Sequence, residues 1–489
     1  MDNRKALFGS TVMALASTLR VVVQITILPI IGRLLGPRAY GQIALVAPFI
    51  FFAMLLAESG LGICIVRAER VTKELEGTVF CFSACFSLFL IAVFALLAYP
   101  VGHLMHEPLF PALLLGMSSI LVLAALNIVP AGLLLREKRY SCIALSDLAS
   151  TLGSVAAVGI GILFDWGVWS LVAQQVAFWV CKVAVVTIGS HSRPQFIFRW
   201  RIIKENISFG SNLTASSILS FIARNIDNVL IGALMGTEIL GYYALAFQVV
   251  GLPSLIASGS VYYTVFSGTS EAIRKGDSSS DHFVNALRGV LLLSAPAMVG
   301  LAVTAPLSIP LILGTKWLPT IPLLVFLAPL GLVQAMWAPI SGVLIGMGRA
   351  DLTLKLGLIS STATIAAILL GVQFSSAAVA LGVSLTAILS WMRAFYKALE
   401  LCKGSAKDVL RTMSVPLIAA LLMGGVVLAV QATLFAALPL GLRLATSIAI
   451  GILAYGLILI GLFRDHISAD MAMVKVALFS RLRSEQNSG

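Results

Sequence analysis

Apolar residues dominate this chain in long runs, and polar positions fall mostly in short clusters between them. A helix crossing a hydrocarbon core about 30 Å thick needs roughly 20 apolar residues. Runs of that length recur from Thr11 to Phe463. They are continuously apolar rather than alternating, so they predict helices and not the strands of a barrel. The pattern predicts an all-α integral membrane protein of about fourteen spans. Their centres fall near Val21, Phe51, Leu88, Leu121, Ser154, Ala177, Leu219, Leu255, Ala295, Val333, Ile365, Ile388, Leu422 and Leu453. Connections are short, and no insertion the size of a soluble domain interrupts them. The opening MDNRKALFGS carries no cleavable signal, so the first span is expected to persist in the mature protein.

Composition supports this reading. Of the 489 residues, 59% are hydrophobic and 11% charged, whereas an average soluble domain carries roughly 25% charged residues. Basic residues mark the cytoplasmic ends of membrane spans. They cluster in RAERVTKELEG (from Arg67), REKRY (from Arg136), HSRPQFIFRWRIIKEN (from His191), KALELCKGSAKDVLR (from Lys397) and the C-terminal tail. The alternating connections are poor in them: Arg33, Arg38, Lys316 and Arg443 are the exceptions. Both termini are therefore expected in the cytoplasm. The net charge of +12 reports this asymmetry and an affinity for anionic lipid headgroups, not a nucleic-acid surface. Six scattered cysteines include no CxxC pair, so neither a zinc site nor a redox motif is indicated.

The chain repeats itself. GRLLGPRAYGQIAL (Gly32–Leu45) returns as GALMGTEILGYYAL (Gly232–Leu245), with glycines at 32, 36 and 41 over 232, 236 and 241. LFGS (from Leu7) matches SFGS (from Ser208), and AGLLLREKRY (from Ala131) resembles SGVLIGMGRA (from Ser341), with Arg139 over Arg349. Six spans separate equivalent points, so the halves are parallel repeats, a recognised transporter plan with the substrate site between them. The expected organisation is a first six-helix lobe over 1–205, a second over 206–400, and two added helices with a tail over 401–489. Gly36-Pro37 reads as a turn, and Gly41 as opening the next helix or admitting a close neighbour.

The phrases GRLLGPRAYGQIALV and AESGLGICIVR (Ala57–Arg67) resemble the start of polysaccharide-export flippases of the Wzx type, in the multidrug/oligosaccharidyl-lipid/polysaccharide superfamily. The likeness is closest to the branch serving exported polymers such as colanic acid or succinoglycan. It implies that the protein carries undecaprenyl-diphosphate-linked oligosaccharide from the cytoplasmic to the periplasmic leaflet of the bacterial inner membrane, for exopolysaccharide or lipopolysaccharide O-antigen synthesis. Two six-helix lobes would form a central cavity and alternate their access. A polysaccharide polymerase and export machinery are the protein partners this implies. Glu58 departs from the aspartate or other polar residue expected before SGLG.

An arginine at mid-membrane costs about 2.5–3.5 kcal/mol on insertion scales, so it should face a cavity, pair or snorkel. Arg20 stands near the middle of the first span with Gln24 one turn on. The corresponding seventh span carries Arg224, Asp227 and Asn228 on one face. Arg20 and Arg224 are candidates for the pyrophosphate and acidic sugars, since guanidinium offers a fork of donors and stays charged. Arg224 pairing with Asp227 one turn away is the structural alternative. Lys182 and Arg288 lie nearer the cytoplasmic ends, as a headgroup entrance or as snorkelling cations.

Asn127, Gln174, Gln175, Asn212, Gln248 and Gln334 are candidates for sugar hydroxyls or for bonds between helices. Tyr242, Tyr243, Tyr262, Tyr263 and Trp337 are candidates for stacking on sugar rings. Trp166, Trp169 and Trp317 read as interfacial belt residues. Pro29, Pro253, Pro296, Pro329 and Pro339 fall inside spans, where proline kinks helices. His103, His106 and Glu107 are too few to define a metal site, and no cofactor is expected. No GxxxxGKS loop exists, so energy must come from an ion gradient, the membrane potential or consumption of the product.

Three rival readings remain. A cation-coupled multidrug exporter of the same superfamily would favour a carboxylate such as Asp227. A polytopic polymerase or ligase should carry a large outer loop with catalytic residues, and no such loop is present. A channel would need a filter motif or several subunits.

Overall fold

The computed structural model describes residues 2–58, 61–68, 70–191, 196–252, 254, 265, 280–433 and 438–462, except for the side chains of some helical residues, chiefly between 2 and 25 and between 203 and 224. The described chain is helical almost throughout. In order the helices are α1 (Asp2–Glu58), α2 (Leu61–Arg67), α3 (Lys73–Leu104), α4 (Phe110–Arg136), α5 (Tyr140–Leu163), α6 (Trp169–Ser190) and α7 (Trp200–Met235). They continue as α8 (Thr237–Val250), α9 (Ser280–Ile312), α10 (Thr320–Gly346), α11 (Ala350–Gly371), α12 (Ser376–Leu401), α13 (Ala406–Thr433) and α14 (Leu440–Leu462). Eleven helices among the described residues are long and apolar enough to cross a bilayer. The span centres set out above fall within these helices, except Leu255, which lies outside the described residues.

The difference between eleven and about fourteen starts with α1, whose 57 residues supply two spans. Its backbone leaves helical values at Gly36 alone (φ 80°, ψ 175°), although Pro29, Pro37 and Pro48 all lie within it. Positive φ with an extended ψ is a region essentially reserved to glycine, where an L side chain costs about 1–3 kcal/mol. Gly236, between α7 and α8, takes nearly the same conformation (φ 90°, ψ 166°). Likewise Lys138 after α4 and Gly348 after α10 both have positive φ, at 53° and 71°. The repeat seen in the letters is therefore also a repeat of turn geometry.

The chain forms two compact units. The first comprises 1–244 and 368–376, the second 245–367 and 377–489. In the first, α1 packs on α4, α5 and α7, and α4 and α5 both pack on α6. Small buried clusters hold it: Ile65, Val79, Phe80 and Ile128 in one, and Ile31, Val158 and Leu171 in another. In the second, α9 packs on α10, α13 and α14. Its core gathers Phe283, Leu287, Leu291, Ile340, Trp391 and Phe395, with the Trp391 and Phe395 rings stacked at 5.0 Å. Trp317, expected in the interfacial belt, sits in the 3-10 turn Thr315–Trp317 between two spans and is fully covered by protein. Trp166 and Trp169 are exposed, as belt residues should be.

Candidate functional site

Small residues let α5 and α6 approach closely, as small residues do between membrane helices. A Cβ added at Gly153 would lie 2.4 Å from Cys181 Sγ, and one at Gly161 would lie 2.7 Å from Ser170 Oγ. This contact brings the one acid of α5, Asp147, beside the one base of α6, Lys182. Lys182 Nζ lies 3.0 Å from Asp147 Oδ1, with both side chains about one-fifth exposed. The same ammonium stands 5.8 Å from the ring centre of Phe178 and 5.7 Å from that of Trp179, within reach of cation–π attraction. Lys182 is thus paired with Asp147 and flanked by two aromatic rings.

These groups edge a cavity of about 390 Å³ between α1, α5 and α6. Val23, Ile27 and Phe51 of α1 form its apolar wall. Since Val23 and Phe51 lie on opposite sides of Gly36 in sequence, the turn folds α1 back on itself. Thr151 and Ser154 of α5 face Gln174, Gln175, Phe178, Trp179 and Lys182 of α6. Thr151 Oγ1 donates to the Asp147 carbonyl at 2.7 Å, and Ser154 Oγ to the Thr151 carbonyl at 2.8 Å. Each hydroxyl oxygen keeps acceptor capacity.

A second polar group sits where the two copies of the repeated phrase meet. A Cβ at Gly41 would fall 1.6 Å from the Thr237 carbonyl oxygen, and one at Gly241 would fall 2.0 Å from the Pro37 carbonyl oxygen. The contact is reciprocal across the repeat: 41 on 237, 241 on 37. Beside it the Glu107 carboxylate accepts from Gln42 Nε2 at 3.0 Å and from Thr237 Oγ1 at 2.8 Å. All three residues are buried. Glu107 thereby ties the loop before α4 to both copies.

Asp227, on α7, is 7% exposed. It accepts from Tyr243 Oη at 3.2 Å and from the Asn228 main-chain N–H at 2.9 Å. Tyr243 is thus a buried partner of a carboxylate rather than a stacking platform. Asn228 is half-buried on the same helix. Arg288 is half-buried on α9, in the second unit. The side chains of Arg20, Gln24, Arg224 and Asn212, and residues Pro253, Tyr262 and Tyr263, lie outside the described ones. Tyr242 donates to Glu238 at 2.9 Å.

Two basic residues from the REKRY cluster also have a local role. Arg136 donates to the Ile65 carbonyl at 3.2 Å and also to that of Ala68, at the C-terminal end of α2. Arg139 donates to the Gly189 carbonyl, in the last turn of α6, at 2.6 Å. Cations at helix C-termini satisfy orphan carbonyls and complement the helix dipole.

The second unit holds a larger groove of about 530 Å³ between α9, α13 and α14. Leu292, Pro296, Gly300, Met423, Val427 and Ile452 are among the residues that line it, nearly all apolar.

A polar pocket and an apolar groove, enclosed by long apolar helices that repeat after six spans, define an all-α multi-pass membrane transporter. The fold is similar to that of the lipid II flippase MurJ in an inward closed conformation, with a TM-score of 0.75 and 16% identity, over 93% of this chain and 99% of that one. The chain belongs to the polysaccharide biosynthesis protein family, which it matches over residues 30–322. It is 22% identical over 414 residues to the lipopolysaccharide biosynthesis protein WzxC of Escherichia coli K12, covering 82% of each chain. It is 25% identical over 347 residues to the succinoglycan biosynthesis transport protein ExoT of Rhizobium meliloti, covering 70% of this chain and 69% of that one.

Proposed function

We propose that the protein is a flippase for undecaprenyl-diphosphate-linked oligosaccharide, moving repeat units from the cytoplasmic to the periplasmic leaflet of a bacterial inner membrane. The observation that carries the reading is a polar, aromatic-edged cavity of about 390 Å³ inside apolar helices. A hydrophilic cargo needs such a shelter to cross hydrocarbon. Membership in the polysaccharide biosynthesis family supports the glycan. By the distribution of basic residues, both termini face the cytoplasm and the 36 and 236 turns face the periplasm. Arg20 and Arg224 are the proposed contacts for the pyrophosphate, with Gln24 and Asn228 beside them and Arg288 nearer the cytoplasmic entrance. A polymerase would consume the delivered units.

A deletion strain tests this. Lipid-linked repeat units are quantified, assigned to a leaflet and compared with surface polymer. Complete units stranded on the cytoplasmic side, with polymer lost, are expected. Complete but unpolymerised units in the periplasmic leaflet would point to a polymerase, and unchanged glycans to the drug-exporter reading. Arg20→Ala should reproduce the deletion while the protein remains inserted. Normal export by that variant at native expression would remove Arg20 from the site.

A further inference from the structure

We propose that the pocket between α1, α5 and α6 is a subsite for one uncharged sugar ring of the carried glycan, and that it disfavours anions. This rests on the flippase reading and narrows it. Sequence alone makes Lys182 a candidate for phosphate or acidic sugar. The geometry argues otherwise. Asp147 already neutralises the ammonium at 3.0 Å. An incoming carboxylate or phosphate would meet a pair with no charge to spare, and the Asp147 carboxylate would oppose it in a poorly hydrated site.

Neutral hydroxyls suit the same groups. Lys182 has three N–H donors, and Asp147 occupies one direction. Gln174 and Gln175 each offer a donor and an acceptor, and neither amide is tied to a neighbouring group among the described residues. Thr151 and Ser154 direct their protons to main-chain carbonyls and so present oxygen acceptors. Trp179 and Phe178, with centroids 6.2 Å apart and planes at 79°, form a two-walled corner. Such a corner covers the apolar C–H face of a pyranose. The volume is near the lower bound for small-molecule sites, which fits one or two rings rather than a whole repeat unit.

The test uses the full-length protein in lipid nanodiscs and ligand-observed NMR with methyl glucoside, methyl galactoside, methyl glucuronide and inorganic pyrophosphate as probes. At least one neutral glycoside is expected to bind, and glucuronide to bind more weakly. Trp179→Leu should weaken the neutral glycoside about tenfold, equivalent to about 1.4 kcal/mol, while Trp179→Phe retains most binding. Asp147→Asn should reverse the preference toward glucuronide, a gain that misfolding cannot produce. The proposal is overturned if the unaltered protein binds no neutral glycoside, prefers glucuronide, or binds glycosides equally well with Trp179→Leu. If the deletion strain still strands lipid-linked units on the cytoplasmic side, only the subsite fails. If it does not, the flippase reading fails, whatever the glycosides do.

Discussion

At the scale of single residues, the polar groups of the first unit divide into those committed to the fold and those left open. Glu107 is committed. Both of its oxygens accept bonds from buried donors on other elements. Glu107→Ala would leave the Gln42 amide and the Thr237 hydroxyl unpaired, at about 1–3 kcal/mol for each buried group. A clear drop in melting temperature of the purified protein is expected, and Glu107→Gln should recover part of it. Asp227 is committed as well, through Tyr243 and a main-chain N–H. This leaves it less able to serve a cationic drug than its isolated place in the sequence suggests. By contrast, the Gln174 and Gln175 amides face a cavity. The Asp147–Lys182 pair had a legible signal. Asp147 is seven residues from the start of α5 and Lys182 eight from the end of α6, so antiparallel neighbours place them at one depth. Nothing comparable announces Gln42, Glu107 and Thr237, whose separations of 65 and 130 residues are bridged only by the folded chain.

At the scale of elements, the repeated phrase has two distinct uses for glycine. Gly36 and Gly236 supply a backbone conformation; Gly41 and Gly241 supply the absence of a side chain. Substitution should separate them. Gly36→Ala should cost about 1–3 kcal/mol, because its positive φ with extended ψ is essentially reserved to glycine, and leave the helix contact intact. Gly41→Ala must push α1 away from α8, because its Cβ overlaps a main-chain oxygen that cannot rotate aside. Export should fall more for Gly41→Ala than for Gly36→Ala at equal expression. Gly241→Ala meets the same seam from the other side, so the double variant should be less harmful than the sum of the two singles, as expected for residues in contact. Strict additivity in stability or export would mean that the two glycines do not share one seam. The turn at Gly36 was readable from Gly-Pro, and the close approach at Gly41 was half readable. That its neighbour would be the other copy of the phrase was not, because repetition in sequence carries no statement of contact.

At the scale of the whole molecule, the apolar runs and the six-span repeat were legible because bilayer thickness dictates them. The burial of Trp317 was not, since local composition cannot distinguish a belt from a core. The basic residues predict a definite topology. A lone cysteine placed at Lys316 should react with a membrane-impermeant maleimide added to intact spheroplasts, and one placed at Lys403 only after lysis, each in a background lacking native cysteines. The reverse pattern would invert the proposed direction of transport. The contact between the two copies of the phrase bears on such transport in another way. Main chain rests on main chain between Gly41 and Gly241, and the Glu107 bonds to Gln42 and Thr237 lie beside that contact. A seam of that kind slides little and parts only by breaking both bonds. It would act as a latch on the transport cycle, to be remade at every closure.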